Sequence, residues 1–283
     1  MGRVTGKAVL ITGAARGQGR SHAVRLAEEG ADIIAIDIPS DTGITEYPLA
    51  TAEELAETAR LVEKTGRRAV VRQVDVRDRA ALRAAIDEAV AELGGRLDAV
   101  VANAGILPIG AHRPIEAFTE TVDTNLGGVL NTVHAALPHL GEGGSVVVTG
   151  SAAGLMPGHG DVAQAGPGFA AYKFAKRTLV DFVNTLAVQL GPTGRRINAV
   201  HPTNVDTAMV QNDAMYRAIR PDLENPGREE AEQGFVAMHS LAVPYVAPAD
   251  VSHAVVFLAS DESRYVTGLH LKIDAGALVK AGL

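Results

Sequence analysis

Tyr172 and Lys176 stand four residues apart in the segment Tyr172-Lys173-Phe174-Ala175-Lys176, a spacing that sets both side chains on one side of a helix. Such a pair is a proton-handling device. A phenol ordinarily ionises near pH 10, and a neighbouring ammonium favours the phenolate and lowers that value. The same spacing also describes a packed tyrosine beside a solvated lysine. The pair therefore takes its meaning from the elements around it.

Those elements alternate. Lys7 to Ile11 is a short apolar run, followed by Thr12-Gly13-Ala14-Ala15-Arg16-Gly17-Gln18-Gly19 and a helical pattern from Arg20 to Glu29. Glycines at 13, 17 and 19 let the backbone approach a pyrophosphate, and the helix that follows offers unpaired N–H groups and a positive dipole end. A second strand, Asp32 to Ile36, ends at Asp37, close to the roughly 20-residue spacing at which a carboxylate meets adenosine ribose hydroxyls. A carboxylate there repels a 2′-phosphate, whereas Arg16 in the glycine loop would attract one. Asp37 is placed at the hydroxyls themselves, so NAD is expected rather than NADP.

From Ile38 to Ala50 the pattern breaks, longer than the ~2 to 6 residues usual between strand and helix. Such a loop is either a cover for a bound nucleotide or a variable surface excursion. A helix from about Thr51 to Thr65, strand Arg68 to Val74, and helix Arg79 to Leu93 follow, with Asp75-Val76 at a strand end where the carboxylate either accepts from an adenine amino group or caps the next helix. Next come strand Ala99 to Ala102, the triplet Asn103-Ala104-Gly105, a long helix near Ile115 to Leu140, and strand Ser145 to Val148 before Ser151. This alternation predicts an α/β fold, a single doubly wound parallel sheet of the Rossmann kind, spanning 1–283 as one domain. Ligands of such sheets gather at the carboxyl ends of the strands, where the glycine loop, Asn103 and Ser151 all fall.

With this order of motifs, the chain resembles the short-chain dehydrogenase/reductase family over essentially its whole length. Ala102 departs from it, many members having asparagine there, and Ser151 and Tyr172 are farther apart than usual. The resemblance implies that Tyr172 exchanges a proton with a substrate oxygen while hydride passes between substrate carbon and nicotinamide. It implies that Lys176 lowers the tyrosine pKa and binds the nicotinamide ribose, that Ser151 donates to the substrate oxygen, and that Asn125 holds a water carrying the proton onward. The stretch Pro157 to Gly168 is expected to be a loop rimming the substrate entrance. Val205 and Thr207, after strand Arg196 to Val200, match positions that meet the nicotinamide carboxamide. Thr203 replaces a more usual glycine.

From Ala208 to Pro248 an insertion carries Met209, Met215, Tyr216, Phe235, Met238 and Tyr245. It reads as a mobile lid over an apolar substrate or as the packing of two extra helices before the last helix, Asp250 to Leu258, and strand, Leu269 to Ile273. The phrases Arg16-Gly17-Gln18-Gly19-Arg20-Ser21-His22, His201-Pro202-Thr203-Asn204, Gln211-Asn212-Asp213-Ala214-Met215-Tyr216 and Arg220-Pro221-Asp222-Leu223-Glu224-Asn225-Pro226 are similar to the carveol-dehydrogenase-like, mycofactocin-associated branch of that family. That branch implies tightly held NAD, a small apolar alcohol or ketone as substrate, often terpenoid, and an external redox carrier. The family's last strand lies at a subunit interface, which implies a homotetramer.

Composition narrows the alternatives. The chain has 283 residues, 47% hydrophobic and 21% charged, with 26 Lys+Arg against 33 Asp+Glu. A net charge of -7 without a basic run argues against a nucleic-acid or anionic-membrane partner. There is no cysteine, which excludes thiolate metal sites and fits a reducing cytoplasm. The histidines lack metal-ligand spacing, so no metal is expected. No apolar run reaches the roughly 18 residues that span a bilayer, and the strand pattern begins too early for a signal peptide. Two other functions remain to be separated: a 3-oxoacyl-(acyl-carrier-protein) reductase, disfavoured by Asp37, the apolar insertion and the scatter of Arg16, Arg20 and Arg113, and a non-catalytic NAD-binding sensor, disfavoured by the Ser151, Tyr172 and Lys176 set.

Overall fold

The computed structural model describes residues 2–38, 40–157 and 162–283. Among them, seven strands form one parallel sheet: β1 (Ala8–Thr12), β2 (Asp32–Asp37), β3 (Ala69–Gln73), β4 (Leu97–Ala102), β5 (Leu140–Thr149), β6 (Arg196–Pro202) and β7 (His270–Ile273), in the order β3-β2-β1-β4-β5-β6-β7. β1, β4 and β6 are buried along nearly their whole length, as a sheet covered on both faces requires, and they read as continuous apolar runs such as Ala8-Val9-Leu10-Ile11. The strand order reverses between β1 and β4. That switch point opens a crevice beyond the strand ends, where Gly13, Asn103 and Ser151 follow Thr12, Ala102 and Thr149.

Helices cover the two faces. On one side α1 (Gly17–Glu28), α2 (Ala52–Glu63) and α10 (Pro248–Ala259) pack through Leu26, Leu55, Val251 and Val255 against Val9, Ile11 and Ile33. On the other, α3 (Arg79–Leu93), α4 (Glu116–Val122), α5 (Gly128–Ala136) and α7 (Val162–Leu190) supply the cover, with Leu82, Ile86, Val129 and Val183 against Leu10, Val100 and Val148. Local chemistry sets several boundaries. Thr51 and Glu54 close a capping box at the start of α2, and the Asp78 carboxylate accepts from Ala80 and Ala81 at the start of α3.

Two expectations need correction. The long helix near Ile115 to Leu140 is interrupted: Asp123–Gly127 is a π-turn between α4 and α5, and the segment ends in a short 3₁₀ turn, with Leu140 already in β5. The apolar period runs through the break, so the pattern hides it, and the widened turn exists because the Asn125 amide bonds across to Ile106. The expected loop Pro157 to Gly168 falls partly on residues 158–161, outside the described residues. From Val162 onward the chain is helical, broken at Gly166, whose φ of 79 precedes Pro167. A Cβ at Gly166 would stand 2.0 Å from the Gly110 carbonyl oxygen, so the break is where the helix meets the chain after β4.

The insertion contributes α8 (Asp213–Ile219) and α9 (Arg228–Met238). Phe235, Tyr216 and Ala231 make a separate small core with Leu107 and Ile109. Short helices α6 (Ala152–Leu155) and α11 (Ala277–Lys280) complete the described elements.

Candidate active site

The glycine loop is shaped by close approach. A Cβ at Gly19 would lie 1.9 Å from the Gly13 carbonyl oxygen, and one at Gly13, whose φ is +68, would lie 2.8 Å from the Ala104 Cα. Asn103 locks this corner: its Nδ2 donates to the Thr12 and Gly13 carbonyls at 3.1 and 3.3 Å, while its Oδ1 accepts from the Thr149 hydroxyl at 3.1 Å. β1, β4 and β5 are thus tied at their carboxyl ends by one side chain. Across the loop, a Cβ at Gly17 would stand 3.2 Å from the Thr207 methyl.

An open cleft of about 1040 Å³ runs beside this loop, lined by Gly13, Arg16, Gly17, Gln18, Gly19, Asp37, Asp75, Val76, Asn103, Ala104, Gly105 and Thr207. Every residue singled out for the nucleotide lines it except Val205, Tyr172 and Lys176, which line a second cleft. The Asp37 carboxylate accepts from the Ala15 and Ile38 N–H groups, both at 2.8 Å, and burial pushes its pKa up. The Asp75 carboxylate is engaged by Arg77, through the backbone N–H and the Nε, each at 2.8 Å. Gln18 lines the cleft, and its Oε1 is buried with no hydrogen-bond partner among the described residues.

The loop after Asp37 folds over this cleft, to which it contributes Thr42, Tyr47, Leu49 and Ala50. Three ties hold it: the Tyr47 hydroxyl accepts from Leu107 N–H at 3.0 Å, Arg113 pairs with Glu46 at 2.5 Å, and the Arg16 guanidinium donates to the Pro48 carbonyl. Arg16 also lies 3.9 Å from the Glu54 carboxylate. A cation read as a potential phosphate partner is thereby held by the loop. Tyr47 was not among the sequence candidates, because its role arises from a tertiary contact. A lone aromatic in an otherwise polar excursion was its only signal.

Ser151, Tyr172 and Lys176 come together at the floor of a second cleft, of about 1100 Å³. Ser151 caps α6, its Oγ accepting from Ala153 N–H at 3.2 Å, and shares a hydrogen bond with the Tyr172 phenol. Lys176 is 3% exposed, donates from Nζ to the Thr149 carbonyl at 2.6 Å, and sits 5.7 Å from the Tyr172 ring centroid. Its pKa is pushed down to about 8 by burial. Desolvation pushes the Tyr172 phenol up, and the hydrogen bond with Ser151 pulls it back. The lysine's charge is itself disfavoured by burial, which weakens its hold on the neighbour.

Asn125 is wholly buried beside the loop after β4. Its Oδ1 accepts from Ile106 N–H and its Nδ2 donates to the Ile106 carbonyl, both at 2.8 Å, so the side chain is a brace for the loop after β4. A Cβ placed on Gly105 would lie 3.2 Å from Asn125 Oδ1 and 3.8 Å from Lys176 Nζ, which shows how close the brace comes to the lysine. Val205 and Thr207 line the second cleft beside Gln18, Asn103 and Gly105. Much of that wall is apolar, with Leu107, Phe169, Met209, Val210, Met215, Ile219 and Met238, while Thr149, Lys173, Thr203 and Asn204 add polar groups. Leu107 and Phe169 were not among the candidates. Nothing in their local sequence distinguishes them from core residues.

A dinucleotide-shaped cradle opening into an apolar cavity with a serine, a phenol and a buried ammonium at the junction defines the class, an oxidoreductase that works with a dinucleotide. A family model described as enoyl-(acyl-carrier-protein) reductase matches residues 13–277. The chain is 48% identical over 286 residues to (-)-trans-carveol dehydrogenase of Rhodococcus erythropolis, covering 99% of this chain and 100% of that one. It is 36% identical over 290 residues to 3-alpha-(or 20-beta)-hydroxysteroid dehydrogenase of Mycobacterium tuberculosis, covering 100% and 92%. Among solved structures, carveol dehydrogenase from Mycobacterium avium in complex with NAD superposes with a TM-score of 0.92 at 50% identity, over 99% of this chain and 100% of that chain. The chain belongs to the short-chain dehydrogenase/reductase family.

Proposed function

We propose that the protein is an NAD-dependent dehydrogenase interconverting a small apolar secondary alcohol, of terpenoid size such as carveol, and its ketone. The observation that carries this reading is the junction itself. Ser151, Tyr172 and Lys176 lie where the methionine-lined cavity meets the glycine-loop cleft, and the two clefts share Gln18, Asn103, Gly105 and Thr207.

The residues present fit the cofactor. The Cβ-free approach at Gly13, Gly17 and Gly19 admits a pyrophosphate, Asp37 lines the cleft with lone pairs to spare for ribose hydroxyls, and Gln18 Oε1 is an unpartnered acceptor. Asp75 and Val76 would border the adenine, Val205 and Thr207 the carboxamide. When bound, NAD supplies the hydride acceptor or donor. An acidic Asp37, with Arg16 held by Pro48 and Glu54, favours an unphosphorylated ribose.

The remaining steps belong to this chain. Ser151 donates a hydrogen bond to the substrate oxygen, where charge develops. Tyr172 takes the hydroxyl proton as alcohol becomes ketone and returns it in reverse. Its raised pKa makes it a proton donor at rest, and the Ser151 bond favours the phenolate needed for oxidation. Lys176, anchored on the Thr149 carbonyl, orients the ribose and stabilises the phenolate when charged. Asn125 keeps the Gly105–Ile106 segment in place between them. Residues 208–248 act as the substrate lid, with Met209, Met215 and Met238 as its adaptable inner face.

The tied loop 38–50 makes release of the cofactor slow, so reducing equivalents leave through an external redox carrier. Exposed Phe174, stacked 6.5 Å from Phe118 with Ile115 nearby in sequence, supports a homotetramer built through α4 and α7. The absence of cysteine supports a cytoplasmic setting. No helix among the described residues is long and apolar enough to cross a membrane.

The test is native purification followed by mass and absorbance of the retained nucleotide, then turnover on a panel of secondary alcohols with an artificial electron acceptor. NAD(H) that resists exchange, with turnover on cyclic terpenoid alcohols, is the expected outcome. An exchanging NADPH with turnover only on acyl thioesters would overturn the reading.

A further inference from the structure

At the end of β5 the sheet ladder stops just before the serine that matters most. Gly150 N–H still donates to the Val200 carbonyl at 2.8 Å, as a parallel ladder would have it. One residue later the backbone of Ser151 finds a side chain instead. Its N–H lies 3.2 Å from His201 Nδ1, and its carbonyl lies 3.1 Å from the same nitrogen. His201 is wholly buried and lies flat under the turn: a Cβ on Gly150 would stand 2.5 Å from its Cε1 and Nδ1.

The two contacts exclude each other for one neutral ring. A bare Nδ1 accepts from Ser151 N–H, and a protonated Nδ1 donates to the Ser151 carbonyl. The choice is made elsewhere. His201 Nε2 lies 2.9 Å from His270 Nδ1, and His270 Nε2 lies 2.9 Å from Asn184 Oδ1, on the exposed side of α7. An amide oxygen only accepts, so His270 carries its proton on Nε2 and presents a bare Nδ1. His201 must then donate from Nε2, which leaves its Nδ1 free to accept from Ser151.

We propose that His201 is a positioning residue for Ser151, held in the accepting tautomer by the His270–Asn184 chain. This rests on Ser151 acting at the substrate oxygen. The consequence reaches Tyr172, because the Ser151 hydroxyl whose backbone His201 fixes is the one bonded to the phenol. Burial pushes His201 down to about 4 and lowers His270 too, so both rings stay neutral in neutral and alkaline solution. The Ser151 carbonyl beside Nδ1 favours protonation of His201, which His270, Lys176 and Lys272 oppose, while Asp181 faces His270 and favours that ring's charge.

The experiment compares His201→Leu, His201→Asn, His270→Phe and Ser151→Ala in the full chain, with fold and thermal midpoint followed by circular dichroism. For His201→Leu, kcat should fall about 10- to 100-fold with KM and NAD(H) binding little changed, a misplacement effect. Its kcat–pH profile for alcohol oxidation should move to higher pH, because a loosened Ser151 no longer favours the phenolate. His201→Asn, whose amide oxygen can stand near the lost Nδ1, should recover most of the rate. His270→Phe should move the profile the same way with a smaller loss, and it decides the matter if His201→Leu does not fold. Parental kcat and an unmoved profile in both His201→Leu and His270→Phe, with Ser151→Ala inactive, would overturn the proposal alone. An active Ser151→Ala would overturn it together with the assignment of Ser151.

Discussion

The cleft beside the glycine loop and the cavity under the insertion share Gln18, Asn103, Gly105, Thr207 and Met209, yet they are built on opposite principles. The first is made of backbone and fixed polar groups: Gly13 against Ala104, Asn103 across three strands, Asp37 on two amides. The second is walled by side chains on separate helices, with methionines that can rearrange. A backbone-built site tolerates almost no added atom, because backbone cannot move without breaking the sheet. A side-chain-built site absorbs change and alters its preference instead. The fold therefore keeps the constant reactant in the rigid half and the variable one in the adaptable half.

The harshest trial of that contrast is Gly19→Ala. The new methyl would meet the Gly13 carbonyl at 1.9 Å, a backbone atom with nowhere to go. Loss of measurable NAD(H) binding by fluorescence titration is expected, together with a lowered thermal midpoint. Normal NAD(H) binding by this variant would show the cradle to be softer than its contacts imply.

Next in size is the seam. Tyr172→Phe removes the proton carrier and nothing that lines the cradle, so kcat should drop about 10² to 10⁴-fold while cofactor binding and fold persist. Single-turnover kinetics on a good alcohol substrate, read beside NAD(H) titration, separates the two. Loss of binding in step with rate would mean the seam belongs to the cradle.

Lys176 gives the seam a measurable stability cost. Its folded pKa of about 8 lies below the ordinary 10.5, so between those values the unfolded chain holds a proton that the folded chain has released. Stability thus rises with pH through that window, and below it the full penalty of the buried charge, about 3 kcal/mol, is present. Lys176→Met should remove the penalty and lose the Thr149 hydrogen bond, worth about 1 kcal/mol. The inactive variant should therefore melt several degrees higher than the parent at pH 7, cofactor-free, with the gap closing towards pH 10.5. A lower melting point at pH 7 would mean the ammonium is better solvated than its burial indicates.

The same contrast decides what the sequence could disclose. Gly13, Gly17, Gly19 and Asp37 were legible because backbone approach and strand-end position dictate residue type, and the strands were legible because buried parallel strands are continuous apolar runs. Tyr47 and His201 were not, since each acts through a contact with a segment distant in the chain, Leu107 for one and Ser151 for the other. Asn125 was found, but its brace on Ile106 was not, because that contact depends on a π-turn that apolar periodicity conceals. The Tyr172–Lys176 pair lines one cleft, but the burial that pushes the phenol up and the ammonium down is not carried by their spacing. In the insertion, Phe235 and Tyr216 proved to be core, Met238 lines the cavity, and Met209 and Met215 do both, a division that composition does not carry.

The mildest trial falls on the adaptable side. Met238 ends α9, lines the cavity and is 38% exposed, so trimming it leaves no sealed void and little stability cost. What it removes is apolar contact with a bulky substrate, of the order of 1 kcal/mol, since one or two methylenes discriminate by about 1–3 kcal/mol. Met238→Ala should raise KM for a cyclic terpenoid alcohol by roughly 3- to 10-fold and leave a short secondary alcohol unaffected, with kcat for both close to the parent's. That split identifies uniform binding by a wall that touches only large substrates. An equal fall in kcat for both alcohols would place Met238 in the geometry of Ser151 and Tyr172, and the two halves of the site would then not be separable in the way their construction implies.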